Sequence, residues 1–262
     1  MNHIDLHSHI LPAVDDGARD VETSLELIRR SASQGVQTLA ATPHFYAFKH
    51  SLDSFLDRRA AAAETLREAM TQAAQAAAPQ ATANTTAQAA APQPSPRGIS
   101  VPGYPRILLG SEVSYFPGMA KADLLDVLTY EGTRTLLLEL PFDRWDGSEV
   151  ETVEYLIRKR GFTVVLAHLE RFMTRQNKRY IRSLMELPLY VQINAEAFAD
   201  KRSAKQMTRL FTEGKAHLLG SDCHSLHRRP PNLEIAYRAL EANAGSGLPE
   251  KIDALGRELL GI

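Results

Sequence analysis

Imidazoles and carboxylates stand at the ends of short apolar runs along this chain of 262 residues. His7 and His9 occur in Asp5-Leu6-His7-Ser8-His9, His44 in Ala41-Thr42-Pro43-His44, His168 in Leu166-Ala167-His168, and His224 in Gly220-Ser221-Asp222-Cys223-His224. The carboxylates Asp16, Glu112, Glu139 and Asp222 are placed in the same way, in Val14-Asp15-Asp16-Gly17, Gly110-Ser111-Glu112, Leu138-Glu139-Leu140-Pro141 and the His224 motif. One histidine at such a place is more often a hydrogen-bonded residue than a ligand. The whole set reads differently. Four carboxylates crowded together would resist ionisation unless cations lay between them, and mixed nitrogen and oxygen donors suit manganese, iron or zinc. So many donors imply two or three ions rather than one. His3, His50, His217 and His227 lack this placement and are read as structural or surface residues.

Two arginines lie close to these motifs, Arg171 three residues after His168 and Arg229 five after His224. A guanidinium grips a pair of phosphate oxygens as a fork, so arginines beside a metal rim suggest a phosphoester substrate. The competing reading is an ion pair with rim carboxylates such as Glu170. Arg228 is read as solvent-facing.

These side chains need elements that deliver them to one place. Seven short apolar runs, Ile4–His7, Val36–Ala41, Arg106–Gly110, Thr133–Glu139, Phe162–Ala167, Leu189–Asn194 and Ala216–Gly220, read as strands. Helical periodicity fills much of the intervening sequence. Val21, Leu25 and Ile28 mark one helix, with Asp20 as N-cap and Gly35 as its stop. Others are expected at about 149–160, 178–186, 203–213 and 233–243. Alternation of this kind predicts an α/β fold with a parallel sheet, closed or nearly closed into a barrel, with a doubly wound open sheet as the alternative. In a parallel barrel the carboxyl ends of the strands share one rim, and His7 and His9, two apart on a strand, face the same way.

The length fits one domain spanning residues 1–262. Residues 73–105, rich in Ala, Gln, Thr and Pro, hold few large apolar side chains and predict a solvated insertion in a surface loop. Thirty Lys and Arg against 31 Asp and Glu give no field to hold a nucleic acid. A lone cysteine, Cys223, cannot close an internal disulfide, no secretory leader is evident at Met1–His9, and no apolar run approaches the roughly 20 residues of a membrane span. A cytoplasmic protein without membrane insertion is expected.

Taken in order, Asp5-x-His7-x-His9 with Asp15-Asp16-Gly17, Ala-Thr-Pro-His44, Gly-Ser-Glu112, Leu-Glu139-Leu-Pro, Ala-His168-x-Glu-Arg171 and Gly-Ser-Asp222-x-His224 resemble the polymerase and histidinol phosphatase superfamily. Asp-Asp-Gly after the first histidine pair and Arg229-Pro230-Pro231 resemble, within it, the bacterial manganese-dependent protein-tyrosine phosphatases of capsule and exopolysaccharide loci. The resemblance runs from Asp5 to about Pro231, apart from the insertion. It implies a distorted (β/α)7 barrel with its metal site at the carboxyl rim, and His7, His9, Asp16, His44, Glu112, Glu139, His168, Asp222 and His224 as ligands. It implies Arg171 and Arg229 as phosphate-binding residues, two or three divalent ions with manganese first and iron or zinc as alternatives, and attack on phosphorus by a metal-bridging hydroxide. The implied substrate is the tyrosine-phosphorylated tail of a bacterial kinase that regulates polysaccharide synthesis. Leu169 and Phe172 beside Arg171, Glu196 in Asn194-Ala-Glu196-Ala, and Cys223 and Ser225 depart from the family pattern, and the first three bear on substrate preference.

Three other readings compete. A small-molecule phosphomonoesterase of the histidinol-phosphatase type shares the metal motifs. Amidohydrolases also open with His-x-His but place a lysine where this chain has Glu139. A non-catalytic metal scaffold would close its coordination shell, whereas phosphate-binding arginines imply open positions. Cys223-(x)5-Arg229 also matches the signature of cysteine-dependent tyrosine phosphatases. The intervening His-Ser-Leu-His-Arg lacks the glycine that eases a phosphate nest, and Pro230 biases Arg229 away from the helix such a loop must open. Cys223 is therefore expected to be a small buried side chain facing away from Asp222 and His224.

Overall fold

Strand β1 (His3–Ser8) is buried from end to end, and its alternate residues pack on two sides of a curled, parallel sheet. The sheet explains the unbroken apolar runs, since strands joined by helical crossovers are covered on both faces. β2 (Val36–Ala41) pairs with β1 and with β4 (Arg106–Leu109) in one three-stranded sheet. Six strands form the other: β3 (His44–Phe45), β5 (Glu112–Ser114), β6 (Thr135–Glu139), β7 (Thr163–Leu166), β8 (Tyr190–Asn194) and β9 (Leu218–Gly220), in that order and all parallel. The structure, a computed structural model, describes residues 2–77 and 97–262.

Each of the seven predicted strands is present within two residues of its expected bounds. The two further strands, β3 and β5, continue β2 and β4 after breaks at Thr42-Pro43 and Gly110-Ser111. Proline cannot donate to a ladder, so the β2 line must stop there and resume. The resumed pieces start at His44 and Glu112, which pair with each other in register. A bridge between Ser8 and Cys223 brings the end of β1 to the segment after β9. It is reinforced by Asp222 N donating to His7 O at 2.7 Å and His9 N donating to Cys223 O at 2.9 Å.

Helix α1 (Val21–Ser33) begins where expected, with the Asp20 carboxylate accepting from Thr23 N, and Gly35 beyond its end takes a left-handed φ of 84°. Helices α3 (Ser148–Arg158), α4 (Lys178–Met185), α5 (Lys201–Thr212) and α6 (Leu233–Ala244) also follow the expected pattern. The periodicity did not disclose α2 (Leu52–Ala77) or α7 (Gly247–Leu260). The flanks of the predicted insertion need correction. Residues 73–77 complete α2, while Ile99 and Val101 are buried in the core and Ile99 exchanges backbone hydrogen bonds with Ile107. Two apolar side chains suffice to fold that flank back on β4; residues 78–96 lie outside the described residues.

Candidate metal centre

The carboxyl ends of the strands carry the predicted residues to one place. His7 and His9 leave β1 with their Nε2 atoms 3.1 Å apart, and these lie 3.2 and 3.3 Å from Glu112 Oε2 and 3.6 and 3.4 Å from Asp222 Oδ1. His44 heads β3, with Nδ1 2.9 Å from Glu112 Oε2. His168, just past β7, sets Nε2 2.8 Å from Glu112 Oε1 and 3.5 Å from Glu139 Oε1 at the end of β6. Donor atoms converge to within 4.8 Å in three overlapping groups, His9 with His44 and His224, His7 with His9 and Asp222, and His44 with Glu112 and Glu139. Seven of the nine predicted ligands belong to these groups, and His168 joins through Glu112 and Glu139. Asp16 stands at the edge. Its side chain is 68 % exposed, with Oδ1 3.6 Å from Nε2 of both His44 and His224.

Several of these atoms fit cations better than they fit one another. Glu112 Oε2, His44 Nδ1 and His224 Nε2 are buried without a hydrogen-bond partner among the described residues, although His44 Nδ1 and Glu112 Oε2 are near neighbours. Unpaired buried polar atoms are costly. Nitrogen and carboxylate lone pairs aimed at shared points are the donor set of a divalent-metal site.

The other ring nitrogens are fixed from behind. His7 Nδ1 donates to Gln192 Oε1 at 3.1 Å, His9 Nδ1 to Asp15 Oδ2 at 2.7 Å, and His224 Nδ1 to Asp222 O at 2.8 Å, so each ring presents Nε2 to the cluster. Gln192 Oε1 also accepts from His168 N at 2.9 Å, and Asp15 Oδ2 from His44 N at 2.8 Å. Gln192 and Asp15 thus each align two predicted ligands. Sequence reasoning gave Asp15 no part in orienting the ligands and passed over Gln192, whose one signal is an amide in the apolar run Tyr190–Asn194. Glycine permits the close packing at two points. A Cβ at Gly17 would lie 2.3 Å from His9 O, and one at Gly220 2.6 Å from His7 Cβ. His168 and Asp222 adopt left-handed φ values of 36° and 51°, the kind of backbone strain that clusters at functional sites.

Charge follows this geometry. Burial opposes ionisation of Glu112, but the surrounding histidines, led by His7 and His44, hold its carboxyl well below the usual range. Burial likewise opposes charge on Asp222, and His7 and His9 more than offset it. Asp222 Oδ2, on the side away from the cluster, accepts from Arg171 Nη2 at 2.5 Å, Arg229 Nη1 at 3.2 Å and Asn194 Nδ2 at 2.8 Å. The carboxylate that anchors both arginines is therefore Asp222 rather than Glu170. Glu170 instead accepts from Asn194 N at 3.4 Å, and burial pushes its carboxyl up to about 7. Arg171 and Arg229 also border a cleft of about 340 Å³ whose walls include His44, Glu139, Tyr46, Phe48, Tyr115 and Phe142.

Cys223 is fully buried in the apolar core and, as expected, takes no part in the cluster; desolvation pushes its thiol up to about 12. His3 is structural, stacked on Tyr237 at 3.6 Å and hydrogen-bonded to Asp253 at 2.9 Å.

A parallel α/β sheet with clustered imidazoles and carboxylates at the carboxyl ends of its strands, and with paired arginines over an open cleft, defines an α/β protein with a candidate multinuclear metal centre. The chain belongs to the family described as capsular polysaccharide synthesis, CpsB/CapC, whose model matches residues 3–81 and 101–255. It is 30 % identical over 252 residues to tyrosine-protein phosphatase YwqE of Bacillus subtilis, covering 94 % of this chain and 87 % of that one. It is 28 % identical over 247 residues to tyrosine-protein phosphatase CpsB of Streptococcus agalactiae, covering 90 % and 89 %. A solved structure from work on YwqE of Bacillus subtilis and CpsB of Streptococcus pneumoniae, described as unique metal-dependent tyrosine phosphatases, superposes with a TM-score of 0.76 at 25 % identity, covering 98 % of this chain and 94 % of that one.

Proposed function

We propose that this chain is a metal-dependent protein-tyrosine phosphatase acting in capsule or exopolysaccharide synthesis, on the tyrosine-phosphorylated tail of a bacterial kinase in the cytoplasm. The observation that carries the reading is the junction of three features at Asp222: the histidine cluster on one oxygen, two guanidinium groups on the other, and an aromatic-walled cleft beside them. The relatives' names support it. No helix among the described residues is long and apolar enough to cross a membrane.

His7, His9, Asp16, His44, Glu112, Glu139, His168, Asp222 and His224 would hold two or three divalent ions, manganese by preference, in a single-domain distorted (β/α)7 barrel. The seven strand lines, counting β2 with β3 and β4 with β5, and the Ser8–Cys223 bridge support that closure. When bound, such ions supply Lewis-acid charge for the phosphoryl oxygens and acidify a coordinated water. The chain's own residues do the rest. Arg171 and Arg229, pinned by Asp222 and so pre-oriented, offer their remaining N–H groups to the phosphoryl oxygens as charge redistributes during in-line displacement. Gln192 and Asp15 keep the imidazoles in the tautomer that presents Nε2. Tyr46, Phe48 and Phe142 give the aryl group an apolar wall and exclude water from it. A phenolate leaving group, with pKa about 10, needs less protonation help than an alkoxide.

An aromatic cleft favours an aryl phosphate over the alternative, an alkyl phosphomonoester of the histidinol-phosphate type. Phosphate release from a phosphotyrosine peptide and from histidinol phosphate, with metal content measured on the same samples, tests both. Faster turnover of the peptide is expected, abolished by chelation and restored by Mn²⁺. Full turnover by metal-free protein would refute the reading.

A further inference from the structure

Phe48 and Phe142 are 77 % and 45 % exposed, two large apolar rings turned to solvent that nonetheless line the same cleft. Each belongs to an aromatic group built on a candidate ligand. Tyr46 stacks on His44 with centroids 5.0 Å apart and carries Phe48 at 5.7 Å, while Phe142 stacks on His168 at 6.2 Å and packs at a tilt against Phe172 at 5.1 Å. The rings come from different loops, one after β3 and one after β6, so they border the cleft as separate walls. A cation covers each wall. Lys49 Nζ lies 4.1 Å from the Tyr46 centroid and 5.6 Å from that of Phe48, and the Arg175 guanidinium lies 6.0 Å from the Phe142 centroid. Unlike Arg171 and Arg229, neither Lys49 nor Arg175 has a carboxylate partner among the described residues.

We propose that Lys49 and Arg175 read the residues on either side of the phosphotyrosine, so that the cleft selects phosphotyrosine embedded in an acidic peptide. This rests on the phosphatase reading above. A ring that enters far enough to bring its phosphate to Arg171 and Arg229 leaves the peptide backbone at the mouth, where the two walls and their cations stand. An extended peptide advances about 3.3 Å per residue, so neighbouring side chains pass over both walls. The cation–π contacts hold the two charges over the rings at little cost to their hydration, and each remains free to meet a carboxylate. Exposed pairs of this kind are individually weak and salt-sensitive. Their value lies in discrimination between peptides and in the approach of an acidic segment.

The test uses the full chain loaded with Mn²⁺ and two peptides of equal length, phosphotyrosine flanked by Glu in one and by Gln in the other. Wild-type kcat/KM should favour the acidic peptide about two- to fivefold for each cation engaged, mainly through KM. Lys49→Gln and Arg175→Gln should each reduce the ratio, and the double variant should bring it close to one. High salt should shrink the wild-type ratio in the same direction. Both positions are exposed, and an unchanged unfolding midpoint confirms intact variants. Equal ratios in wild type and double variant, with hydrolysis proceeding, would overturn the inference and leave the phosphatase reading standing. Absence of hydrolysis of any aryl phosphate by metal-loaded protein would refute that reading and the inference with it.

Discussion

Replacing Gln192 by leucine removes no proposed ligand, yet it should weaken the metal centre. The side chain is fully buried. Its oxygen accepts from His7 Nδ1 and from His168 N, and its amide donates to Asn194 Oδ1 at 2.8 Å. Leucine nearly matches its volume and supplies neither group, so the His7 ring N–H and the His168 amide are left buried and unpaired. At about 1–3 kcal/mol for each, the loss is about 2–6 kcal/mol, a large share of the roughly 5–15 kcal/mol that stabilises a domain. The His7 ring also loses the contact that fixes its tautomer, which costs about 10- to 100-fold in metal affinity. Gln192→Glu keeps the acceptor oxygen and should recover most of that affinity. Calorimetric titration with Mn²⁺ and thermal unfolding, each with and without metal, separate the two effects. Wild-type affinity together with a wild-type midpoint in Gln192→Leu would refute the orienting role.

Arg229→Lys keeps the charge but loses the fork that spans Asp222 and the cleft, so kcat/KM on an aryl phosphate should fall about 10- to 100-fold at unchanged metal content; wild-type kinetics would reduce Arg229 to a structural partner of Asp222. Cys223→Ser should retain most activity and alkylating reagents should inhibit little, because the thiol is buried and its pKa is raised, whereas Asp222→Ala or His224→Ala should be nearly inactive. An inactive Cys223→Ser that kept its fold and metals would restore the thiolate mechanism. Replacing residues 78–96 with a glycine–serine linker of equal length should leave turnover of a small aryl phosphate intact, since every proposed site residue lies elsewhere; loss of folding would show an essential element there.

The strands and most of the proposed ligands were legible because their signals are local. An apolar run buried on both faces stands out in a sequence, as does a histidine or carboxylate at its end. β3 and β5 were not legible, being two and three residues long and defined by pairing rather than by composition. α2 carries its buried face on Phe55, Ala62, Ala63, Leu66 and Met70 among many alanines, so its stripe is faint. Which carboxylate meets the arginines was not legible for a different reason. Glu170 is adjacent to Arg171 in sequence, but the sheet brings Asp222 across from β9, and no periodicity reports such a meeting. Gln192 was missed because an amide inside a strand gains meaning only once the rings on either side are known.

The join between the end of β1 and the segment after β9 has a consequence for how the chain withstands unfolding. His7 and His9 stand near one end of the sequence and Asp222 and His224 near the other, and the backbone bonds from Asp222 N to His7 O and from His9 N to Cys223 O hold them face to face. Anything that grips all four only when they are assembled in this way stabilises the folded chain across a span that a covalent cross-link would otherwise have to bridge, in a protein whose single cysteine cannot supply one. The strength of such a link is set from outside. Its contribution grows with the free-ion concentration, reaching about 2.7 kcal/mol at one hundred times the dissociation constant. Lifetime against proteolysis would then track the metal supply, and starvation for the ion would remove the protein as well as its activity.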